Sequence, residues 1–502
     1  MKDQLKLDHR LFLRILRIEG SLIYVFTNEK IITEKDIRRH VSLVEQLLNH
    51  TKITVNELAE IIGTTERTIF SDLQSIRSQL PEGWDIFSDQ AGISLQNHQN
   101  LLTNDLWEIF FKQSVSVELL KNLLFTKKVA VPDFLADHGL SYGTLKRHVT
   151  KINQRLASYD LQIDLTKYTA CILGKERAIR TFYHRLLIPF THNNYFFEDY
   201  SIHESHYFQF LRNLSQTELA VETEEIFGTC WFFINTIRIK ANCRLDSSIH
   251  INSTLSSLYD SALKKLYLTE GIYLKDTELS FASFCFLESW NYNNNYGQEI
   301  ARCLHHSPFL EVLETFVEEL ASELSLDQLK KTSLTDNLAL LVLKYHESPI
   351  LIEPLERQYH RFLETYDQQY AHLYQQKENL LNDLNKEMEI NEPNYFLQLL
   401  SLLIQQTIFS IKPNLFNVYF IFQGEPSWKA FLQQELKDYL GKRVCFLPIE
   451  LTDLSTISFE KTDILISNFP LDSLDIPIVY ISSIPTKNEL NRLTELTFKT
   501  FL

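Results

Sequence analysis

Five basic side chains crowd one short stretch of the chain: Lys146, Arg147, His148, Lys151 and Arg155, within SYGTLKRHVTKINQRL. Cations at this density neutralise phosphate, and Lys or Arg also reaches guanine edges in a major groove. An earlier stretch, TERTIFSDLQSIRSQL from Thr65 to Leu80, has the same apolar spacing but only two cations, Arg67 and Arg77. A third set is Arg177, Arg180 and His184, at helical spacing on the face opposite Ile179, Phe182 and Leu186. That spacing predicts an exposed His184 beside guanidinium groups able to receive a phosphoryl group. His206 in SIHESHYF, His346 before Ser348-Pro349, and His360 are further candidates for regulatory phosphorylation. For each histidine, an ordinary surface or helix-end residue is the competing reading. No phosphate-cradling glycine loop, nucleophile elbow or metal-ligand pattern appears, so no enzyme, cofactor or metal is expected.

The elements that position the basic residues are repeated. At a constant offset of 76 residues, Leu43, Leu47, Leu58, Gly63, Thr65, Ile69, Leu73, Ile76 and Leu80 match Leu119, Leu123, Phe134, Gly139, Ser141, Leu145, Val149, Ile152 and Leu156. Each copy reads as a helix stopped by a glycine, then a second helix capped by Thr65 or Ser141. That is a helix-turn-helix pattern. Burial of Ile69, Leu73 and Ile76 turns Glu66, Arg67, Phe70, Ser71 and Gln74 outward. In the second copy the outward set is Tyr142, Gly143, Lys146, Arg147 and Thr150, with Lys151 and Arg155 nearby. A hairpin with alternating apolar residues follows each copy, at Trp84–Leu95 and Leu161–Leu165, and reads as a wing. The expected DNA contacts are Thr65, Glu66, Arg67 and Ser71, then Ser141, Tyr142, Lys146, Arg147 and Lys151. Arg67, Lys146 and Arg147 are best placed to reach the major groove.

The net charge of −15 on 502 residues opposes nucleic-acid binding only on average. Residues 1–170 hold 21 basic and 21 acidic side chains, and the remainder holds 28 against 43. A phosphate-facing surface therefore belongs in the first third. No apolar run spans a membrane, the N-terminus has no signal-peptide pattern, and the six cysteines are scattered. These features point to a reducing cytoplasm, with no membrane partner. Arg10, Arg14 and Arg17 recur at helical spacing and read as a solvated face or as extra backbone contacts.

From Gly174 to about Ile411 the pattern is almost wholly helical, and the break NYNNNYG divides it near residue 295. After Ile411 the period changes to short apolar strands, NVYFIF, RVCFLP, DILISN and PIVYIS, around one helix, EPSWKAFLQQELKDYLG. That order predicts a small parallel α/β sheet. Trp428, Phe431, Leu432 and Tyr439 are expected on the buried face of the helix, and Cys445 as a buried structural thiol. The loop after the first strand, Gln423 to Pro426, has no Cys, Ser, Lys or His to accept a phosphoryl group. The fold class is thus multidomain and mainly α. It comprises tandem winged helix-turn-helix units (1–97 and 98–173), two helical bundles (174–295 and 296–411) and a small α/β domain (412–502).

This layout resembles the Mga-type transcriptional regulators of Gram-positive bacteria. The resemblance covers essentially the whole chain and rests on TERTIFSDLQSIRSQL and on YTACILGKERAIR, from Tyr168 to Arg180. The latter is similar to the family pattern G-Y-x-L-x-G-x-E-x-x-I-R, with Thr169, Ala170 and Cys171 departing from it. The resemblance implies a transcription activator, often of virulence or surface-protein genes, whose partner is double-stranded promoter DNA. It implies helical domains like PTS regulation domains (PRD), phosphorylated on histidine by PTS phosphocarrier proteins. It also implies a tail like a phosphotransferase IIB domain, used for self-association as a dimer or larger. The acceptor cysteine of an active IIB domain is replaced here by Gln423 and Gly424. Two rival readings stay open at this point: a phosphotransfer-chain enzyme, and an RNA-binding antiterminator sharing the helical domains.

Overall fold

The computed structural model describes residues 31–99, 104–188, 191, 197, 204–245, 257–293, 295–347, 374–386, 388, 390, 393–411, 416–441, 444–459, 463–471, 474, 476–486, 489–490 and 493. Arg10, Arg14, Arg17 and His360 lie outside the described residues, as does the side chain of His346. The chain divides into two compact units, residues 1–306 with 343–359, and residues 307–342 with 360–502.

The first unit opens with the repeat. In the first copy α1 (Lys35–Asn49), α2 (Val55–Ile62) and α3 (Glu66–Arg77) precede a hairpin of β1 (Trp84–Asp89) and β2 (Gly92–Asn97). A linking helix, α4 (Asn104–Gln113), leads to the second copy: α5 (Val115–Phe125), β3 (Val129–Ala130), α6 (Val131–Asp137), α7 (Tyr142–Leu156), β4 (Gln162–Leu165) and β5 (Thr169–Leu173). Both copies bury the predicted stripe, with Ile69, Leu73 and Ile76 matched by Leu145, Val149 and Ile152. In the second copy β3 joins the hairpin as a third antiparallel strand. In the first, the same place is held by a single bridge from Ile53 to Ile93. The close approach explains Gly92, whose φ is 134° and where a Cβ would stand 2.9 Å from the Ile53 carbonyl oxygen.

The remainder of the first unit is helical among the described residues: α8 (Glu176–Leu187), α9 (Glu204–Leu214), α10 (Glu225–Lys240), α11 (Asp260–Thr269), α12 (Asp276–Glu288) and α13 (Gln298–His305). Helix α10 is buried on every side from Gly228 to Ile239, as a central core helix must be. It carries Asn235 and Arg238 into the core, where they meet Arg180 and Glu176 of α8.

The second unit contains α14 (Leu310–Glu323), the first part of α15 (Leu334–Glu347), α16 (Tyr374–Leu384) and α17 (Pro393–Ile411). A parallel sheet follows, built from β6 (Phe416–Ile421), β7 (Val444–Pro448), β8 (Ile464–Ser467) and β9 (Ile478–Tyr480) in the order β7-β6-β8-β9. Along β6, Val418 and Phe420 enter one core while Tyr419 and Ile421 enter the other, so the central strand is covered on both faces. Helix α18 (Pro426–Leu440) differs from expectation in its buried face. Leu432 and Leu436 are buried and Trp428 and Leu440 pack beside them, while Phe431 and Tyr439 are exposed. A spacing of four residues follows the helix surface more closely than the mixed set read from the sequence. Cys445 is only half-buried, because β7 is an edge strand. Among the described residues no helix is long and apolar enough to cross a membrane.

Candidate nucleic-acid interface

The two copies share one local construction. In the first, Thr54 and Glu57 form a capping box at the start of α2. Gly63 then turns the chain at φ 72°, and Thr65 Oγ1 accepts the Thr68 amide at 3.2 Å to open α3. In the second, Gly139 has φ 61° and Ser141 Oγ accepts the Thr144 amide at 3.1 Å to open α7. Thr65 and Ser141 are thus helix caps first, as their side-chain oxygens are committed to backbone amides.

The same backbone displays different chemistry. Residue by residue along the outward faces, Glu66 stands where Tyr142 does, Arg67 where Gly143 does, Phe70 where Lys146 does, and Ser71 where Arg147 does. Glu66, Arg67, Ser71, Lys146 and Arg147 are all exposed, and Phe70 is 59% exposed. Tyr142 is half-buried, its hydroxyl donating to the Leu165 carbonyl at 3.4 Å, so it braces the wing. The cationic surface belongs to the second copy, and it extends to the wing tip. There Lys167 and Tyr168 are exposed, in contrast to Asp89 and Gln90 at the first tip. Sequence reasoning passed over Lys167, although the offset places it opposite Ala91 in the other turn.

Three basic residues serve the scaffold instead. Arg77 Nε donates to the Ile86 carbonyl at 3.1 Å, tying α3 to its wing. Asn153, the same position in α7, is tied to Ile163 in both directions, at 2.7 and 3.0 Å. His148 is half-buried and hydrogen-bonded to Thr33 Oγ1. Burial pulls its pKa below the ordinary imidazole value, Lys151 and Arg147 pull the same way, and Glu34 opposes them. His148 is therefore neutral at physiological pH and is not one of the phosphate-neutralising cations. Lys151 is exposed, but its Nζ donates to the Thr33 carbonyl at 2.8 Å.

The expectation of an exposed His184 is corrected. Its side chain is fully buried, stacked 3.9 Å from the Trp231 ring, with Nε2 3.0 Å from the Phe227 carbonyl. Burial holds its pKa well below the usual value, and Arg185 adds to the effect. Arg180 is buried as well, paired with Glu278 at 2.6 Å. Helix α8 has partners on both faces, so the polar side predicted to meet solvent meets α10 and α12 instead. His206 is accessible, with its side chain 35% exposed and Nδ1 2.9 Å from Glu270.

Comparison with known proteins follows this division between the copies. Residues 99–187 match the model of the Mga helix-turn-helix domain, which spans the second copy together with α4 and α8. Over 92% of its length the chain is 22% identical to the anthrax toxin expression trans-acting positive regulator of Bacillus anthracis, covering 98% of that protein. Over 93% it is 23% identical to a putative trans-acting regulator of Streptococcus pneumoniae serotype 4, again covering 98%. Over 92% it is 19% identical to the capsule synthesis positive regulator AcpB of Bacillus anthracis, covering 98%. The chain thus carries a Mga helix-turn-helix domain and is similar, along nearly its whole length, to trans-acting positive regulators. Residues 305–410 also match the model of a non-canonical single-stranded DNA-binding domain. That segment holds 17 acidic and 7 basic residues, a balance that opposes contact with phosphate.

Proposed function

We propose that this chain is a Mga-type regulator that binds double-stranded promoter DNA through α3 and α7 and activates transcription, of genes like those for toxin or capsule named in its relatives. The observation that carries the reading is the exposed pair Lys146 and Arg147 on the opening turns of a capped helix, followed by a wing whose Lys167 is also exposed. Helix α7 enters the major groove and supplies most of the phosphate affinity, while α3 fixes register. The PRD-like helical regions and the IIB-like tail make the chain a homodimer or larger. Phosphocarrier proteins tune it through an accessible histidine, for which His206 is the described candidate. The protein acts in the cytoplasm, as a regulator and not as an enzyme.

The test is fluorescence anisotropy of the full-length protein on duplex DNA and on single-stranded DNA and RNA, titrated with salt. Duplex binding that weakens steeply with salt supports the reading, and equal or stronger binding to single strands overturns it. Incubation with phosphocarrier proteins and labelled phosphoenolpyruvate tests the regulatory part. Acid-labile label lost in His206→Ala supports it, and label retained in that variant removes His206 from the proposal.

A further inference from the structure

The basic side chains of α7 fall into two groups. Lys146 and Arg147 face outward near its start. Lys151, Gln154 and Arg155 lie one to two turns further on, and with Ser158 they line one side of a cavity of about 380 Å³. Thr33 and Arg38, from the start of α1, line the other side. Three cations thus share one space, and no carboxylate is among the residues that line it.

This differs from the treatment of several buried or half-buried arginines of the first unit. Arg39 is paired with Asp72, Arg180 with Glu278, Arg185 with Glu288 and Arg238 with Glu176. Arg38 and Arg155 have no such partner among the described residues. Arg155 lies over the Tyr159 ring, and Arg38 Nε is buried without any hydrogen bond. A buried guanidinium N–H with no acceptor is costly, and three like charges around one cavity repel one another. An anion seated among the three cations relieves that repulsion and offers acceptors to their solvent-facing N–H groups.

We infer that this cavity is a phosphoryl-binding site. The guanidinium forks of Arg38 and Arg155 match a tetrahedral oxyanion, Lys151 keeps two further N–H donors, and the Gln154 amide adds neutral ones, while the Ser158 hydroxyl is committed to the Arg155 carbonyl. The phosphoryl group comes either from the DNA backbone or from a free phosphorylated small molecule. Because Thr33 is also hydrogen-bonded to His148 and Ser116, an occupant fastens the start of α1 to the second recognition helix. The cavity is defined without DNA, so a free phosphorylated ligand is independent of the duplex reading, whereas a backbone phosphate rests on it.

The experiment uses the full chain, Arg38→Gln/Arg155→Gln, and Lys264→Gln/Lys265→Gln, whose exposed lysines lie far along the chain on α11. Thermal unfolding is followed in inorganic phosphate and in sodium chloride of equal ionic strength. Anisotropy on duplex DNA is measured in phosphate-free buffer. A rise in Tm specific to phosphate, kept in the lysine pair and lost in the arginine pair, with duplex affinity unchanged, assigns a free phosphorylated ligand. A duplex affinity about tenfold weaker in the arginine pair, with the salt slope reduced by about 1, assigns a backbone phosphate. An equal phosphate response in all three proteins with unchanged duplex binding overturns the site, as does no response in any with unchanged binding. Should the glutamine pair fail to fold, Arg38→Lys/Arg155→Lys keeps the charge and loses the forks. Its response is then reduced instead of abolished, and a wild-type response overturns the inference.

Discussion

Asp72 and His148 occupy the same position of the two recognition helices, and both hold the segment that opens α1. Asp72 accepts from Arg39 Nη2 at 2.8 Å and lies 3.1 Å from His40 Nε2. His148 is bonded to Thr33 and stands 3.9 Å from Glu34. Glu34 in turn accepts the Ser114 hydroxyl at 2.9 Å, reaching the start of α5. Residues 33–40 are therefore gripped by one polar side chain from each copy, so the two recognition helices are not independent.

Asp72→Ala removes the acceptor of two α1 side chains and is expected to cost about 2 kcal/mol, read as a lower denaturation midpoint at unchanged m-value. Burial opposes ionisation of Asp72, but Arg39 and His40 outweigh it and lower its pKa. Its folded value lies below its unfolded one, so its contribution is complete above about pH 4 and fades as pH falls through the folded value. A variant as stable as the wild type at pH 7 contradicts this role.

Lys146→Ala with Arg147→Ala is expected to weaken duplex binding for all sequences and lower the salt slope by about 1 for each phosphate that is no longer neutralised. Arg67→Ala is expected to change the slope less, since the surface around it carries Glu66 and Phe70. An unchanged slope in the double variant would mean that phosphates are met elsewhere.

Arg238 joins the helical region to the second copy. It is paired with Glu176 at 2.8 Å and donates to the Leu123 carbonyl at 2.6 Å and the Leu124 carbonyl at 3.2 Å, at the C-terminal end of α5. Glu176→Gln leaves that guanidinium buried without its counter-charge and is expected to cost about 3 kcal/mol. Hydrogen exchange resolves where the loss falls: the last turn of α5 exchanges faster before α3 does. Uniform exchange across both copies would deny Arg238 its capping role.

Lys344 Nζ donates to the Glu288 carbonyl at 3.3 Å and the Trp290 carbonyl at 2.6 Å. Burial brings its pKa down to about 7 from 10.5, with Glu288 opposing the shift. Between those values the unfolded chain binds more protons than the folded one, so stability rises with pH across the window. Lys344→Met is expected to flatten Tm between pH 7 and 9, and parallel profiles for the two proteins would refute the assignment.

The repeat, its caps and its exposed faces were legible because they follow from local rules. A glycine at φ 72° or 61°, a hydroxyl accepting an amide three residues on, and a stripe at helical spacing are all written within about twenty residues. The apolar runs of β6 to β9 are local in the same sense, although the parallel pairing that joins them spans tens of residues. The charge contrast of Lys146 with Phe70 also needed only the offset between copies.

Other features depended on which faces find partners. The spacing that put His184 opposite Ile179 was correct, yet α8 is covered on that side too, by α10 and α12. Likewise Phe431 and Tyr439 lie outside the one face of α18 that meets the sheet. Periodicity states that a helix has sides, but burial is decided by neighbours far along the chain. The same holds for the basic residues. Composition counted Arg77 and His148 with Lys146 and Arg147, and only tertiary contacts separated those bound to the scaffold from those left to meet phosphate. A side chain's type is set by the sequence, whereas the partner that satisfies or leaves open its charge is set by the fold.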